Sequence, residues 1–405
     1  MAFLPFFGRK KSPVFMVIDV GTHAIRALTF ELPGGGKNPV AIKKYFFRLP
    51  PSSVLDEESV GRHTLRVSAK LRELLFAALK ALGRIPAKIW IGIGPHLAPY
   101  TLEIWSGEFE AQGKTVSKDE LFTYFEELSK KYRNEETYVM AFPIEAFLNR
   151  YPVPLRDFSS IALPSVAGKT VKSMSVEFRT IVLRFPKAIG HSFVEIKEAL
   201  GGMPIEFTPI AAVVLGVIPD ALKIKDAFLV DVGGEETSLM LLRNNSLLQF
   251  VYFPMGVSHF IKGIERIAGV SAEQAEDVRR QYMQGIVGSE RGSRLQEYLK
   301  KESEEWKKKF LDTRDSFYHV GLLPEDVILF GGGAGMPEIR EILRDPEWMK
   351  GFSYAEAPRV RVFDPSTMFG GDTLGGSLEG PADVGLAALV FYAMKETGNP
   401  LSISH

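Results

Sequence analysis

Cysteine is absent from all 405 residues, which excludes disulfides and Cys-based metal sites and suits a reducing cytoplasm. Neither sign of charge is in excess. Lys plus Arg number 49 and Asp plus Glu also 49, so no net field draws the chain to nucleic acid. No stretch reaches the ~18 apolar residues of a membrane-spanning helix. The short apolar opening, with its basic residues behind it, is not a secretory signal. Internal repeats are lacking too, apart from two short Asp-Val-Gly turns. Against these absences stand a hydrophobic content of 45% and a length too great for one ordinary core. The expectation is a packed protein of two lobes or more, soluble inside the cell.

The two turns carry the most information. One is Val17-Ile18-Asp19-Val20-Gly21-Thr22; the other is Leu229-Val230-Asp231-Val232-Gly233-Gly234-Glu235-Glu236-Thr237. In each, an apolar run reads as a buried strand, one acid interrupts it, and Gly follows at once. A buried strand tolerates a carboxylate poorly unless it ends at a polar site, typically a metal or its water shell. The Gly lets the backbone turn tightly and aim N–H groups at phosphate oxygens. Two copies, each opening one half of the chain, point to two lobes closing on one phosphate–Mg²⁺ unit. A third element, the strand Asp326–Phe330, runs into Gly331-Gly332-Gly333-Ala334-Gly335 and then a helix from Met336 with Pro337 in its first turn. Bare backbone between a strand and a helix N-terminus leaves room for a flat ring or a phosphate.

In this order the three elements resemble the phosphate-1, phosphate-2 and adenosine motifs of the actin-like ATPase superfamily, and within it the FtsA and PilM proteins. Thr208-Pro209-Ile210-Ala211-Ala212-Val213 is similar to the helix linking the lobes, and Ala275-Glu276-Asp277-Val278-Arg279-Arg280 to the helix beside the nucleoside. Asp383-Val384-Gly385-Leu386-Ala387-Ala388 is similar to the closing helix. The resemblance implies an α/β fold: a two-lobed actin-like ATPase (ribonuclease H-like) with an inserted small α+β subdomain, called SHS2 or 1C. The expected divisions are a flexible leader at 1–13, the first lobe at 14–85, and the insertion with flanking strands at 86–186. The rest of the first lobe and the linker helix fall at 187–225, the second lobe at 226–382, and the closing helix and tail at 383–405.

Local signals fill in the elements. Residues 14–31 and 40–49 read as two strands joined through Pro33–Pro39, and Ser59–Leu82 as an amphipathic helix. Lys88–Ile93 reads as a strand. Ser117 and Glu120 form a capping-box signature for a helix running to about Tyr132. Tyr138–Phe142 and Ser173–Leu183 read as strands, Phe193–Leu200 as a helix, and Arg243–Ser246 as a hairpin turn. Arg294–Val320 reads as one long charged helix.

The resemblance also assigns roles. Asp19 and Asp231 would hold Mg²⁺, through water. Gly21, Thr22, His23, Gly233 and Gly234 would offer N–H groups to the phosphates of ATP, with Thr22 and Thr237 adding hydroxyls and His23 and Arg26 a further contact. Glu276 and Arg279 would flank the nucleoside, and Gly331, Gly332, Gly333 and Glu338 would lie beneath the base. Thr208, where chaperone relatives carry Glu, would position water alongside Asp231. A hydroxyl is a poor base at neutral pH. Glu235 and Glu236 stand where relatives have Gly and Thr, and Ser238 where many have Asp. Hydrolysis is therefore expected to be slow or absent.

Three roles stay open. An FtsA-type protein would self-associate and tether the tubulin-like division-ring protein to the membrane. Met203–Pro209 and the lobe spacing lean this way, although the amphipathic helix that FtsA relatives carry at the carboxyl end is not visible. A PilM-type protein would bind the tail of an inner-membrane pilus protein. A small-molecule kinase is the third. The opening Met1–Gly8 ahead of Arg9-Lys10-Lys11 reads as an aromatic-basic peripheral membrane contact, or else as a disordered leader or a tail that packs on a partner. A similar opening is common in PilM-type proteins and leans towards that role.

Overall fold

In the computed structural model, residues 12–397 are described, apart from 34–37, 50–56, 98, 111–114, 133–136, 154–159, 163–164, 167–168, 171–172, 287–288, 355, 370–373, 375–376 and 379. The leader up to residue 11 and the tail from residue 398 lie outside the described residues. The chain opens with three antiparallel strands, β1 (Val14–Val20), β2 (Ala24–Glu31) and β3 (Val40–Arg48). Residues 14–31 thus form two strands rather than one, split at Gly21–His23, where the Gly21 N–H closes a turn on the Ala24 carbonyl at 3.0 Å. Helix α1 (Glu57–Leu82) leads to β4 (Ile89–Ile93), which lies parallel to β1.

The chain then leaves this sheet for a separate layer. It comprises β5 (Tyr100–Glu110), β6 (Thr115–Ser117), α2 (Lys118–Lys131), β7 (Thr137–Leu148) and β8 (Tyr151–Val153). Three short strands, β9 (Ser160–Ala162), β10 (Ser165–Val166) and β11 (Lys169–Thr170), precede β12 (Ser173–Pro186). The layer's main sheet runs β5-β12-β7-β8. Its own core gathers Trp105, Phe125 and Phe178, with the Trp105 and Phe125 rings stacked at 5.4 Å. Helix α2 starts as its sequence predicts: Ser117 accepts from the Glu120 N–H, and the Glu120 carboxylate accepts from the Ser117 N–H. Strand β7 runs past Phe142 to Leu148, and β5 was not anticipated.

Helix α3 (Lys187–Ala199) returns to the first sheet, where β13 (Ile205–Pro209) adds parallel to β4, giving the order β13-β4-β1-β2-β3. Helices α4 (Ile210–Leu215) and α5 (Ile218–Leu222) carry the chain across. The second lobe repeats the plan. Strands β14 (Ala227–Val232), β15 (Thr237–Arg243) and β16 (Ser246–Phe253) are antiparallel. The hairpin at Asn244 and Asn245 has φ of 53° and 62°, the left-handed pair of a tight primed turn. Helices α6 (Val257–Ala268), α7 (Ala272–Met283) and α8 (Ser289–Arg314) follow. The long charged helix begins earlier than expected and ends at Arg314, where a 3₁₀ turn, Asp315–Val320, replaces it. Then come β17 (Leu322–Leu323), β18 (Asp326–Phe330), α9 (Pro337–Arg344), β19 (Ser353–Tyr354) and β20 (Arg359–Val362). Helix α10 (Val384–Glu396) closes the chain.

The second sheet is β16-β15-β14-β18-β20, the same succession of three antiparallel and two parallel strands as the first. Its core is aromatic: Phe228, Trp306, Phe310, Phe317 and Trp348 are all buried. In the first lobe, Trp90 and Phe30 pack with α4 and with Leu386, Leu389 and Val390 of α10, so the closing helix locks onto the sheet where the chain began.

Candidate functional site

Asp19 and Asp231 stand at equivalent points, each the next-to-last residue of the middle strand of its sheet. Both strands are otherwise apolar and buried, and the acid is the one partly exposed residue of each. Each chain then turns on a glycine, Gly21 bonding to Ala24 and Gly233 donating to the Glu236 carbonyl at 2.9 Å. The two acids line one cleft of about 840 Å³ between the lobes. Glycines of two other elements crowd them. A Cβ at Gly385 in α10 would fall 2.8 Å from Asp19 Oδ2. One at Gly331, whose φ of +88° already favours glycine, would fall 2.3 Å from Asp231 Oδ1.

The cleft floor is acidic. Burial pushes the Asp19 carboxyl up, Arg26 opposes this, and Asp383 reinforces it. Asp231 is driven to about 8 by burial, then by Asp19 and Glu236, with Arg26 pulling the other way. Glu236 also lines the cleft, its carboxylate 3.7 Å from His96 Nδ1. Asp383, just before α10, gathers cations: Lys44 Nζ lies 2.7 Å and Arg26 Nε 3.5 Å from its oxygens. Beneath the acids, the buried Tyr100 hydroxyl donates to the Ile93 carbonyl and accepts from the Ile210 N–H at 3.2 Å, tying the end of β4 to the start of α4.

The far side of the cleft is built on α7. Glu276 and Arg279, both buried, face each other in a bidentate pair at 2.7 and 2.8 Å. Arg280 joins at 3.1 Å, and Arg279 also donates to the Gly332 carbonyl at 3.2 Å. Burial works to raise the Glu276 pKa, but the Arg279 hydrogen bonds and charge hold it below the usual range. His23 points into this region with neither ring nitrogen hydrogen-bonded; burial lowers its pKa, and Glu276 works against that.

The cleft therefore brings together Asp19, Gly21, Thr22, His23, Asp231, Gly233, Gly234, Glu276, Arg279, Gly331 and Gly332. Four expected members are placed elsewhere. Thr237 is fully buried, donating to the Met255 carbonyl at 2.7 Å and accepting from the Trp306 indole at 3.1 Å, so its hydroxyl serves the second lobe's core. Gly333 makes room for Val232, whose Cγ1 would lie 2.3 Å from a Cβ there. Glu338 turns to the Tyr282 hydroxyl at 2.5 Å. Thr208 is 1% exposed, does not line the cleft, and leaves its Oγ1 without a partner. Lys44, His96 and the pairing role of Asp383 went unforeseen; nothing in their local sequence marks them.

The two turns touch. The Glu235 N–H donates to Thr22 Oγ1 at 2.9 Å, and a Cβ at Gly234 would fall 2.3 Å from the same oxygen. A phosphate placed between the turns requires this contact to part. Helix α6 holds the second turn from behind, with the Val257 and Ser258 N–H groups on the Gly233 and Gly234 carbonyls at 2.9 and 2.8 Å. Facing acids cradled by glycines match the donor chemistry of a divalent cation and its water shell. Arg26, Lys44, Arg279 and Arg280 on the same walls supply positive charge for a polyphosphate.

No protein-family model and no curated protein matches the sequence. Solved structures do. A chain of a PilM–PilN type IV pilus biogenesis complex superposes with a TM-score of 0.55 at 17% identity, covering 93% of this chain and 97% of that one. The ethanolamine utilization protein EutJ of Carboxydothermus hydrogenoformans gives 0.44 at 12% identity, over 94% and 90% of the two chains. MreB 5 of Spiroplasma citri bound to AMPPNP gives 0.45 at 9%, over 96% and 98%. The fold is the actin-like ATPase fold, shared with that chain of the PilM–PilN complex.

Proposed function

We propose that this protein is a nucleotide-binding actin-like scaffold of the PilM type, which joins the tail of an inner-membrane pilus protein and hydrolyses ATP slowly or not at all. The supporting observation is the likeness over 93% of this chain to a chain of the PilM–PilN complex, together with two half-repeats that aim paired aspartates into one cleft. We take the third layer to be the SHS2-type subdomain and the partner-binding unit. In this reading Asp19 and Asp231 hold Mg²⁺ through water, and Gly21, Thr22, His23, Gly233 and Gly234 meet the phosphates. Glu276, Arg279 and Gly332 face the nucleoside. The bound cation would screen the phosphate charge against the acidic floor.

Weak turnover follows from the chain's own groups. The Thr208 hydroxyl does not line the cleft, and Glu236 adds a negative charge where an attacking water would need orienting. No helix among the described residues is long and apolar enough to cross a membrane.

The test has two arms. Purified protein should bind a fluorescent ATP analogue with Mg²⁺ and release no phosphate above background. It should also retain the cytoplasmic tail of the PilN-type inner-membrane protein from its own genome. Capture of the division-ring protein instead, with filaments on lipid monolayers, would transfer the assignment to the FtsA type. Transfer of labelled phosphate to a sugar would transfer it to a kinase.

A further inference from the structure

Helices α6 and α8 pack against each other, and their touching faces carry an unusual set of groups. Gly263 makes the close approach: a Cβ there would fall 2.4 Å from a ring carbon of Tyr298. One turn from Gly263 sits His259, and one and two turns from Tyr298 sit Glu302 and Glu305. His259 Nε2 lies 2.8 Å from Glu302 Oε2 and 3.7 Å from Glu305 Oε2, and all three donor atoms lie within 4.8 Å of one another. The Nε2 atom is shut off from solvent, yet it makes no aligned hydrogen bond with either carboxylate. The Tyr298 hydroxyl accepts from Arg266 at 3.1 Å and also hydrogen-bonds the Glu302 carboxylate. None of these residues lines the interlobe cleft.

We propose that His259, Glu302 and Glu305 form a divalent-cation site in the second lobe that takes Zn²⁺. One neutral imidazole nitrogen and two carboxylates are a three-ligand set of the kind that leaves a fourth position for water. A hollow lined by His259, Lys262, Glu265 and Arg266 opens beside them. Ligands about 2.0–2.2 Å from a tetrahedral zinc stand roughly 3.4 Å apart. The His259–Glu305 separation already meets this. His259 and Glu302 need to part slightly to admit the ion, and the Glu305 side chain, 57% exposed, is free to rotate inward. The two carboxylates balance the ion's charge. Arg266, 3.9 Å from Glu302 and 70% exposed, swings out as the ion enters. Tyr298 is then the outer partner that orients a ligating carboxylate. The ion would clamp α6 to α8, and the first residues of α6 are those that hold the second glycine turn.

The full-length protein, stripped of metal with a chelator, is titrated with ZnCl₂ in competition with a chromogenic chelator and without nucleotide. One site per chain is expected, together with a rise in melting temperature on adding zinc. His259→Ala and Glu302→Gln should each weaken binding by well over about tenfold, the loss expected from an outer partner alone, and shrink the melting shift accordingly, while Lys262→Ala leaves both unchanged. Circular dichroism confirms that each variant is folded. No zinc binding by the folded parent, or equal affinity in parent and both variants, overturns the proposal. Because nucleotide is absent throughout, the result is independent of the function proposed above.

Discussion

Replacing Asp231 by Asn should make the nucleotide-free protein more stable, and increasingly so as pH rises. Burial, Asp19 and Glu236 move the Asp231 carboxyl from 3.8 to about 8 in the folded chain. A folded pKa above the unfolded one means that the folded state holds the proton more tightly. The stability this contributes is complete below about pH 3.8 and is lost as pH climbs through about 8. A gap of about four units at ~1.36 kcal/mol each sets a ceiling near ~6 kcal/mol. Water in the cleft, with an effective dielectric of about 20, brings the realised penalty to about 1–3 kcal/mol. Asn keeps the shape of the protonated acid and never ionises. In urea unfolding at pH 4.5, 7 and 8.5, without Mg²⁺ or nucleotide, the variant's advantage should be smallest at pH 4.5 and largest at 8.5. With Mg²⁺-ATP at one hundred times its Kd the parent should gain about 2.7 kcal/mol, whereas the variant gains little. A difference between the two proteins that stays flat across pH would refute the account of a strained, cation-seeking carboxyl.

Gly256→Ala should cost about 1–3 kcal/mol in chemical unfolding and weaken ATP-analogue binding, because its Cβ would fall 2.5 and 2.6 Å from the Gly233 and Gly234 carbonyl oxygens. Glu276→Ala should cost about 3–5 kcal/mol in the same assay by leaving Arg279 buried and unpaired, and Glu276→Gln should cost less. Ser117→Ala should cost about 1 kcal/mol through the lost capping box, read as a lower melting temperature with nucleotide binding unchanged.

What the sequence revealed and what it hid divide by range. The two aspartates were legible because a carboxylate breaking an apolar run is a local anomaly. The Ser117–Glu120 box and the Asn244–Asn245 turn were legible because three or four residues determine them. Strand β5 was not. Its buried side chains are Tyr100, Trp105 and Phe109, and their uneven spacing breaks the period of two that would have marked a strand. Lys44 meets Asp383 across 339 positions of sequence, a contact that only the packing of α10 onto the first sheet creates. Thr237 misled because a Thr after a glycine turn suits phosphate as well as it suits a core. Its partner Trp306 lies 69 residues on, so nothing nearby separates the two readings.

The symmetry of the lobes explains why their acids are unequal. Register pairs Asp19 with Arg26 across β1 and β2, and Asp231 with Ser238 across β14 and β15. The strand order, the position in the strand and the following glycine are shared; the cross-strand neighbour is not. A guanidinium beside Asp19 offsets its burial, and Arg26 is indeed the strongest influence lowering its pKa. Ser238 offers Asp231 no charge, and Glu236 adds one of the wrong sign. Asp231 is therefore the carboxyl with most to gain from an arriving cation. Parting the Thr22–Glu235 contact would expose it to the phosphates of the same ligand. A nucleotide without a divalent ion would bring more negative charge to this floor and should bind poorly. The dependence of binding on Mg²⁺ ought accordingly to be steep in the parent and shallow once Asp231 is neutral.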